Sequence, residues 1–526
     1  MGLLLDVPFF CEVILGLLLL FITFYLSVVK NYTYWETKGV PFIEPSFPFG
    51  NTKDLLMGRK QLGEIYNDFY NKFKGERYFG VYEIRRPIFV VRDPQLIKHI
   101  LTKDFNHFQN RFTISKSVNP KVDYLAKHLF NLEGQEWKHM RVKLSPTFTS
   151  GKIKTMFLLI EQCVEQLINH VNEQTDKNSV IDVKDVLARF TLDTIATCAF
   201  GLESNSLEDR DSEFYHYGVK IFHLSFARQI RRILFAVFPT IMKLSSIRLV
   251  SKDLTEFFTR VVRDTLEYRE KNNVTRNDFL NLLIQVGQNK NSEKEEVNGN
   301  SENKAKGNTA FTVEEIAAQS FVFFAAGFET ASSTMSFCLY ELAQNPDIQD
   351  RLYEEIKETL SNYDGKPTYQ ALQEMPYMDK VINETLRRYA SLAVLNRVCT
   401  EKYKVPDSEL VIEEGTNVVI PTFAIHHDPQ FYPDPFKFDP ERFSPERVRE
   451  RHPYVHLPFG EGPRVCIGMR FGLLQTKIGL AYMLMNFEFG LTAQTQIPVP
   501  LSKTSFVTQP EKPILLQLTR RKSTVL

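Results

Sequence analysis

The segment PFGEGPRVCIG, at residues 458–468, constrains this chain more than any other. It surrounds a single cysteine, Cys466, with glycines, prolines and an arginine, and glycine and proline favour backbone geometries that other residues avoid. The next segment, MRFGLLQTKIGLAYMLMNFEFG, is mostly apolar and predicts a buried helix. Because a helix N-terminus favours a thiolate over a thiol, the loop is predicted to present a thiolate in a fixed direction.

Several chemistries use a cysteine in this setting, and most of them need further residues. A phosphatase-type loop would need an arginine at position 472, which is glycine. A structural zinc site would need further Cys or His ligands within the loop, and a papain-like nucleophile would need its own local signature. Haem needs only one axial cysteine, the glycines let the macrocycle approach, and Arg464 can reach an anionic propionate.

The stretch FGEGPRVCIG resembles the haem-binding loop of the cytochrome P450 monooxygenases. The positions that match the family's motif are Phe459, Gly462, Arg464, Cys466 and Gly468. The resemblance covers essentially residues 40 to 520 and is strongest to insect microsomal subfamilies that metabolise xenobiotics. It implies a mainly α fold with a smaller β-rich region (α+β), and haem b with Cys466 as the ligand of its iron.

Other motifs occur in the family's order. Glu384 and Arg387 in ETLR, with Arg442 in PERF, resemble the family's buried structural triad. WKHMR resembles a motif in which Trp137 and Arg141 bind a haem propionate, and Arg397 falls where the family has another propionate contact. A departure follows ETLR, where relatives carry prolines and this chain has Ala390, Ser391 and Ala393.

The stretch AAGFET, at residues 325–330, lies on a long apolar segment predicted to be a core helix. A capping box of Thr312 and Glu315 begins this helix, and Pro346 ends it. From the residues alone, Thr330 could be bonded to the preceding turn and Glu329 could lie at a helix–helix contact. The resemblance implies catalytic roles for both, since a hydroxyl and a carboxylate beside the iron can hold the waters that deliver protons.

The N-terminus contains an apolar run without charged residues from Val13 to Val29, close to the lower limit of about 17 residues for crossing a bilayer. A cleaved signal peptide is the alternative, but no basic residue precedes the run. Lysines follow it, which places the body on the cytosolic side. We expect an anchor at 1–30, a proline-rich linker at 31–50 and a catalytic domain at 51–526 in the endoplasmic reticulum membrane.

The rest of the sequence gives broader constraints. Lys plus Arg (64) almost balance Asp plus Glu (63), so no overall charge favours nucleic acid. The six cysteines are scattered, which indicates a reducing compartment. Residues 76–94 and 410–420 predict strands, long helices are predicted between about 95 and 390, and the polar stretch 287–308 predicts a mobile loop.

The resemblance also implies partners and a substrate class. Electrons would come from NADPH through NADPH–cytochrome P450 reductase, with cytochrome b5 and membrane lipid as further partners. The expected reductase-docking residues are Lys138, Lys143, Lys152, Lys154 and Arg470. By analogy, an apolar substrate pocket would include Phe108, Phe130, Phe226, Phe323, Val394 and Phe506, although periodicity alone favours core positions for each.

These observations leave several functions open. The first is a monooxygenase of plant toxins, insecticides and other xenobiotics, and its main competitor is a hydroxylase of endogenous lipids or hormones. A reductase-independent isomerase or dehydratase, and a non-catalytic haem sensor or lipid carrier, are further alternatives. The Glu329–Thr330 pair argues against both, because neither needs protons delivered to dioxygen.

Overall fold

A computed structural model describes residues 7–113, 117–209, 211–222, 226–276, 278–288 and 311–521. The predicted mobile loop at 287–308 falls almost entirely outside these residues. The remainder is mainly helical with three small sheets, so the expected α+β class is confirmed.

Helices account for most of the described chain. In order along it, the α-helices are α1 (Val7–Val29), α2 (Tyr34–Thr37), α3 (Lys53–Leu56), α4 (Leu62–Lys72), α5 (Pro94–Lys98), α6 (Gly134–Leu144), α7 (Ser150–Lys177), α8 (Val183–Ile195), α9 (Glu213–Phe222), α10 (Phe226–Val237), α11 (Pro239–Leu244), α12 (Lys252–Asn272), α13 (Phe279–Gln288), α14 (Val313–Gln344), α15 (Pro346–Ser361), α16 (Pro376–Arg388), α17 (Thr422–His426), α18 (Pro445–Glu450) and α19 (Met469–Asn486).

The strands are short. In the same order they are β1 (Tyr78–Glu83), β2 (Arg86–Val91), β3 (Val180–Asp182), β4 (Leu395–Val398), β5 (Tyr403–Lys404), β6 (Val411–Ile412), β7 (Asn417–Ile420), β8 (Phe487–Leu491) and β9 (Leu515–Arg520). The two runs predicted within residues 76–94 form β1 and β2, which confirms the prediction of a small sheet there.

The chain divides into two compact units. The β-rich unit contains the residues up to Phe112 together with Val394–Ala424. Its four-stranded sheet has the order β1-β2-β7-β4, with β2 and β7 parallel and the other two pairs antiparallel. Helix α4 places Ile65 and Phe69 against Phe79 and Val90 of the sheet. Burying each such side chain stabilises the fold by about 1.5–3 kcal/mol.

The helical unit contains Thr113–Ala393 and the residues from Ile425 onward. Helix α14 is its central element and contacts α8, α12, α16 and α19. The predicted capping box is present, since Thr312 Oγ1 accepts from the Glu315 N–H at 3.2 Å and the Glu315 carboxylate accepts from the Thr312 N–H at 3.0 Å. The helix ends before Pro346, as the sequence predicts.

Where α8 packs on α14, a glycine leaves room for an isoleucine. A Cβ added to Gly327 would lie 2.3 Å from Cδ1 of Ile195, so a larger residue would require the Ile195 side chain to shift. The carbonyl of Phe328 accepts a hydrogen bond from Thr191 Oγ1 of α8 at 3.0 Å. This contact lies directly beside Glu329 and fixes the rotation of the middle of α14.

The N-terminal helix differs from the core helices in its exposed apolar surface. Leu17 and Leu26 of α1 are about 60% exposed (62% and 60%). The segment Cys11–Thr37 is long and apolar enough to cross a membrane by length and composition. Its end is tied to the β-rich unit, because the Trp35 N–H donates to Tyr82 Oη at 3.1 Å and Tyr82 Oη donates to the Tyr32 carbonyl at 2.8 Å.

Candidate active site

The loop from 458 to 468 folds back on itself before α19. Gly460 and Gly462 have φ values of 70° and 76°, a left-handed conformation that favours glycine. The Cys466 N–H donates to the Phe459 carbonyl at 3.0 Å, which closes the loop. Cys466 stands just before the N-cap residue Gly468, and its side chain is exposed, as a ligand to an added group requires.

Cationic and aromatic side chains gather beside this loop. Arg464 is 2% exposed, and its Nη2 donates to the Leu132 carbonyl at 2.8 Å. Its guanidinium carbon lies 4.1 Å from the ring centroid of Trp137, which is buried on α6. One turn further along α6, burial lowers the pKa of Arg141, and the charge of Cys466 acts in the opposite direction. The structure therefore brings Arg464, Trp137 and Arg141 to the cysteine loop.

Arg397 is a buried arginine on β4 of the β-rich unit, opposite Val418 in the sheet register. Its Nη1 donates to the carbonyl of the adjacent Asn396 at 2.8 Å. Within the described residues, its Nε has no hydrogen-bond partner and no carboxylate lies within ion-pair distance. Burial, with a smaller contribution from Arg111, lowers its pKa to about 9.

These features fit a haem group. A buried guanidinium without an anion is unfavourable, and a propionate would supply the missing partner of Arg397. The exposed sulfur of Cys466 suits an iron ligand, and the glycines beside it leave space for a flat macrocycle. The donor set of the cysteine loop is therefore that of a haem–thiolate site.

The residues predicted as a structural triad do meet. Arg387 Nε lies 2.7 Å from Glu384 Oε2 and Arg387 Nη2 lies 2.8 Å from Glu384 Oε1, a bidentate pair whose side chains are both fully buried. Arg442 Nε lies 3.3 Å from Glu384 Oε1. The Asp439 N–H also donates to that oxygen at 3.0 Å. All these groups surround one carboxylate, so Glu384 holds α16 to the segment around PERF.

The middle of α14 presents two different faces. Thr330 is partly exposed and its Oγ1 donates to the carbonyl of Ala326 at 2.6 Å, and Ala326 is itself exposed although it lies mid-helix. Glu329 is buried and faces α8, where its Oε1 lies 2.8 Å from Lys184 Nζ and accepts from Ser333 Oγ at 2.9 Å. Both contacts that the residue pattern left open, a back-bonded threonine and a glutamate between helices, are present.

Two polar residues of this region carry no motif signal. Lys184 follows the N-cap of α8 and has the sequence context of an exposed first-turn lysine, yet it pairs with Glu329 and donates to Ser332 Oγ at 2.8 Å. His426 ends an apolar stretch, TFAIH, and is fully buried. A histidine inside so apolar a stretch is the only sequence signal that could have drawn attention to it.

The candidate pocket residues have different surroundings. Phe130 and Phe506 meet at a ring separation of 6.2 Å, and Phe506 is 48% exposed. Phe323 is partly buried, and its ring centroid lies 4.4 Å from that of Phe279 in an aromatic cluster of the helical unit. In the β-rich unit, Phe108 is fully buried against Tyr403 and Val394 packs on the core of the sheet. The side chain of Phe226 lies outside the described residues.

Comparison with known proteins gives consistent matches over nearly the whole length. The sequence model of the family "Cytochrome P450" matches residues 41–518. "Cytochrome P450 6k1" of Blattella germanica is 40% identical over 502 residues, which cover 94% of this chain and 95% of the relative. "Probable cytochrome P450 6a14" and "Cytochrome P450 6a2" of Drosophila melanogaster are each 42% identical, covering 94% and 91% of this chain and 96% and 93% of their own lengths.

Proposed function

Because this chain belongs to the cytochrome P450 family and is a haem-thiolate monooxygenase, we propose that it oxidises apolar foreign compounds such as plant toxins and insecticides. When bound, haem ligated by the Cys466 thiolate would supply the oxygen-activating chemistry, since thiolate donation favours O–O cleavage. One oxygen atom of dioxygen enters the substrate and the other leaves as water, with electrons from NADPH delivered by a reductase. The cysteine loop is the observation that carries this reaction class.

The residues that would hold the cofactor follow from their chemistry. Cys466 would ligate the iron through its exposed sulfur. Arg464, Arg141 and Arg397 would pair with propionates, and Trp137 would keep the Arg464 guanidinium flat against its ring. Support comes from the burial of Arg397 without an acidic partner among the described residues, because an arginine in that state is suited to an anionic group.

Glu329 and Thr330 would divide the handling of protons. The Thr330 hydroxyl lies on the exposed face of α14, where it can hold a water molecule. Glu329 lies one residue earlier on the buried face, where its carboxylate pairs with Lys184 and can accept and pass on a proton. On this proposal protons move from the α8 side of α14 to the face that carries Thr330.

The proposed substrate class is supported by the aromatic pair of Phe130 and Phe506. Two phenylalanine rings, one of them about half exposed, form a surface suited to flat apolar molecules and provide no charge to bind a polar one. Such a surface would also accept a terpenoid or a fatty acid. An endogenous lipid or hormone is therefore the competing substrate class.

Location and domain organisation are also part of the proposal. Residues 1–30 would be a single anchor in the endoplasmic reticulum membrane, 31–50 a proline-rich linker and 51–526 the catalytic domain on the cytosolic side. The exposed apolar surface of α1 supports the anchor. Lysines that follow the apolar run support the orientation.

NADPH–cytochrome P450 reductase would dock on basic residues near the cysteine loop, with cytochrome b5 as a further partner. Lys138, Lys154 and Arg470 are exposed, and Arg470 Nη1 donates to Ser150 Oγ at 3.2 Å, which links the start of α19 to α7. Lys143 lies 4.7 Å from the ring centroid of Phe311.

Charge reversal, Lys143→Glu, should slow reduction of this protein by the reductase and weaken the salt dependence of that rate, whereas Lys271→Glu on α12 should change neither. An unchanged salt dependence in Lys143→Glu would count against this docking surface.

The deciding experiment measures oxygenated products in membranes that contain this chain and a reductase. One substrate pool holds plant toxins and insecticides, the other holds endogenous lipids and hormones, and each is incubated with and without NADPH. NADPH-dependent products from the first pool alone support detoxification. Products from the second alone indicate a biosynthetic or hormone-clearing enzyme. Turnover without NADPH or oxygen would indicate an isomerase or dehydratase, and no turnover in either pool would favour a haem sensor or lipid carrier.

A further inference from the structure

His426 lies between two parts of the active site that are far apart in the chain. It is the last residue of α17 and is fully buried. Its Nδ1 lies 3.1 Å from the carbonyl oxygen of Arg387, on α16. Its Nε2 lies 3.0 Å from the backbone nitrogen of Leu457, which immediately precedes the cysteine loop. Both ring nitrogens therefore contact backbone groups, one on each side.

The partners of the ring define its tautomer. The Leu457 N–H can only donate, so Nε2 must be the acceptor. The Arg387 carbonyl can only accept, so Nδ1 must carry the hydrogen. This arrangement requires a neutral imidazole. Burial, with additional effects of His456, His427 and Arg387, keeps the pKa of His426 well below its ordinary value, which agrees with a neutral ring.

On the α16 side, the histidine is joined to a rigid element. The side chain of Arg387 is held by Glu384 in the buried bidentate pair. Arg387 Nη1 also donates to the carbonyl of His426 at 2.7 Å. The His426 ring thus bonds the backbone carbonyl of Arg387, and the His426 backbone carbonyl bonds the Arg387 side chain. The position of His426 is fixed to the Glu384–Arg387 pair.

On the loop side, backbone hydrogen bonds link Leu457, the partner of His426, to Cys466. Leu457 is 1% exposed and its carbonyl accepts from the Gly460 N–H at 3.1 Å. The Phe459 carbonyl in turn accepts from the Cys466 N–H at 3.0 Å. The first hydrogen bond closes a turn and the second closes the loop that follows it. A displacement of the Leu457 backbone would therefore also displace the backbone of Cys466.

We propose that His426 is a positioning residue for the cysteine ligand, which couples the buried Glu384–Arg387 pair to the cysteine loop through its Nε2 bond to Leu457. It touches neither cofactor nor substrate. Its role is to hold the backbone before the loop so that the sulfur of Cys466 keeps the geometry that a thiolate ligand needs. A merely structural histidine would contribute to stability without affecting ligation.

Two amide variants separate these roles. The amide of glutamine reaches about as far as Nε2 of histidine, so His426→Gln keeps an acceptor for Leu457 and loses the bond to Arg387. The shorter asparagine reaches about as far as Nδ1, so His426→Asn does the reverse. His426→Phe removes both bonds. His456→Phe is the matched control, since the His456 ring centroid lies 5.5 Å from that of His426 but its Nε2 contacts Asn383 on α16 and not the loop.

The measurement is the absorption spectrum of the reduced carbon monoxide complex, expressed as the ratio of thiolate-ligated to thiol-ligated haem. The full-length chain is studied in detergent, together with its haem content and unfolding temperature. We expect His426→Asn and His426→Phe to lower this ratio by about fivefold or more, the factor that corresponds to one lost hydrogen bond. His426→Gln should stay within about twofold of the wild type, because it retains the bond to Leu457.

Several outcomes would overturn the proposal. A wild-type ratio in His426→Asn means that the bond to Leu457 does not control the sulfur. Equal loss of haem or of the thiolate spectrum in His426→Asn and His426→Gln means that the histidine is structural only. A ratio in His456→Phe as low as that of His426→Asn means that any damage near α16 disturbs the ligand. The proposal stands only if the two amide variants differ as described and the control retains the wild-type spectrum.

Discussion

The cysteine loop and the middle of α14 both carry a family motif, but the polar groups that support them are held in different ways. Around the loop, the supporting carboxylate of Glu384 accepts hydrogen bonds from Arg387 and from a backbone N–H, and Arg442 lies within ion-pair distance of it. On α14, the described partners of the Glu329 carboxylate are one cation, Lys184, and one hydroxyl, that of Ser333, and the neighbouring Thr330 faces the exposed side.

This difference separates ligand support from proton handling. A ligand must stay in one place, and a fully bonded, buried network provides that rigidity. A group that passes protons must be able to exchange partners, and a carboxylate with two side-chain partners can do so more easily than one held by three backbone and guanidinium groups. Changes at Glu384, Lys184, His456 and Thr330 test the contrast, and their expected effects on the folded protein decrease in that order.

Removing the carboxylate at the centre of the loop support should have the largest effect. Glu384→Ala leaves two buried guanidinium groups unpaired, which is expected to destabilise the protein by roughly 3–5 kcal/mol. We expect haem incorporation to be abolished, measured as the haem-to-protein ratio after purification. Glu446→Ala, at an exposed glutamate of α18, is the control and should load normally. A fully loaded Glu384→Ala protein would contradict the assignment of this network as ligand support.

Breaking the ion pair on α14 should have a somewhat smaller effect. Among the described residues, Lys184→Met leaves Ser333 as the side-chain partner of the buried Glu329 carboxylate. We expect a loss of about 3 kcal/mol in unfolding free energy, measured by denaturant titration in detergent. The double variant Lys184→Met/Glu329→Gln should recover more than half of that loss, because no unpaired charge remains. Lys177→Met, an exposed lysine of α7, serves as the control. If Lys184→Met is indistinguishable from this control, the pair does not hold Glu329.

Acid should lower the unfolding free energy of the wild-type protein through the histidines beside the cysteine loop. Burial, with Arg451 and Arg387 nearby, lowers the pKa of His456 from 6.5 to about 3, so the folded protein keeps this ring neutral while the unfolded chain binds a proton below about pH 6.5. Stability is therefore fully present above that pH and falls as the pH is lowered from about 6.5 towards 3. His426, whose pKa is also lowered, acts in the same direction.

The variant His456→Phe should flatten this acid decline without removing it, since His426 remains. The check is unfolding free energy measured at a series of pH values for the wild type, His456→Phe and the exposed-site control His139→Phe. Parallel curves for all three proteins would show that His456 is not the group responsible.

The smallest effect on folding is expected at the exposed face of α14. Thr330→Val removes a hydroxyl bonded only to the preceding turn among the described residues, so stability should change by no more than about 0.5 kcal/mol. Product formed per NADPH should nevertheless fall by about tenfold or more, because groups that transfer protons contribute roughly 10²–10⁴-fold. Thr330→Ser keeps the hydroxyl and should retain most of the product yield. A normal yield in Thr330→Val would remove Thr330 from proton handling.

Local patterns in the sequence predicted much of this molecule. The capping box at Thr312 and the β-branched and aromatic runs of β1 and β2 are set by neighbouring residues, and both are present as predicted. The turn geometry of the cysteine loop depends on Gly460 and Gly462, which the sequence places beside Cys466. Each of these features is decided within a few residues, where propensity and steric limits act directly.

Other parts of the site were decided only when distant segments met. Lys184 and Glu329 are separated by more than a hundred residues, and nothing in either segment indicates that they pair. His426 depends on Arg387 and Leu457 in the same way. Among the aromatic residues, periodicity could not distinguish Phe323, which packs against Phe279 in an aromatic cluster, from Phe506, which is half exposed.

The sequence alone therefore determined the cofactor chemistry, the helix that ends at Pro346 and the α+β class, because contiguous motifs encode them. Tertiary structure decided which charges are paired, which histidine supports the ligand loop and which face of α14 stays open. The physical reason is that burial and pairing depend on what lies within a few ångströms in space, and a helix carries no record of which neighbour will cover each of its faces.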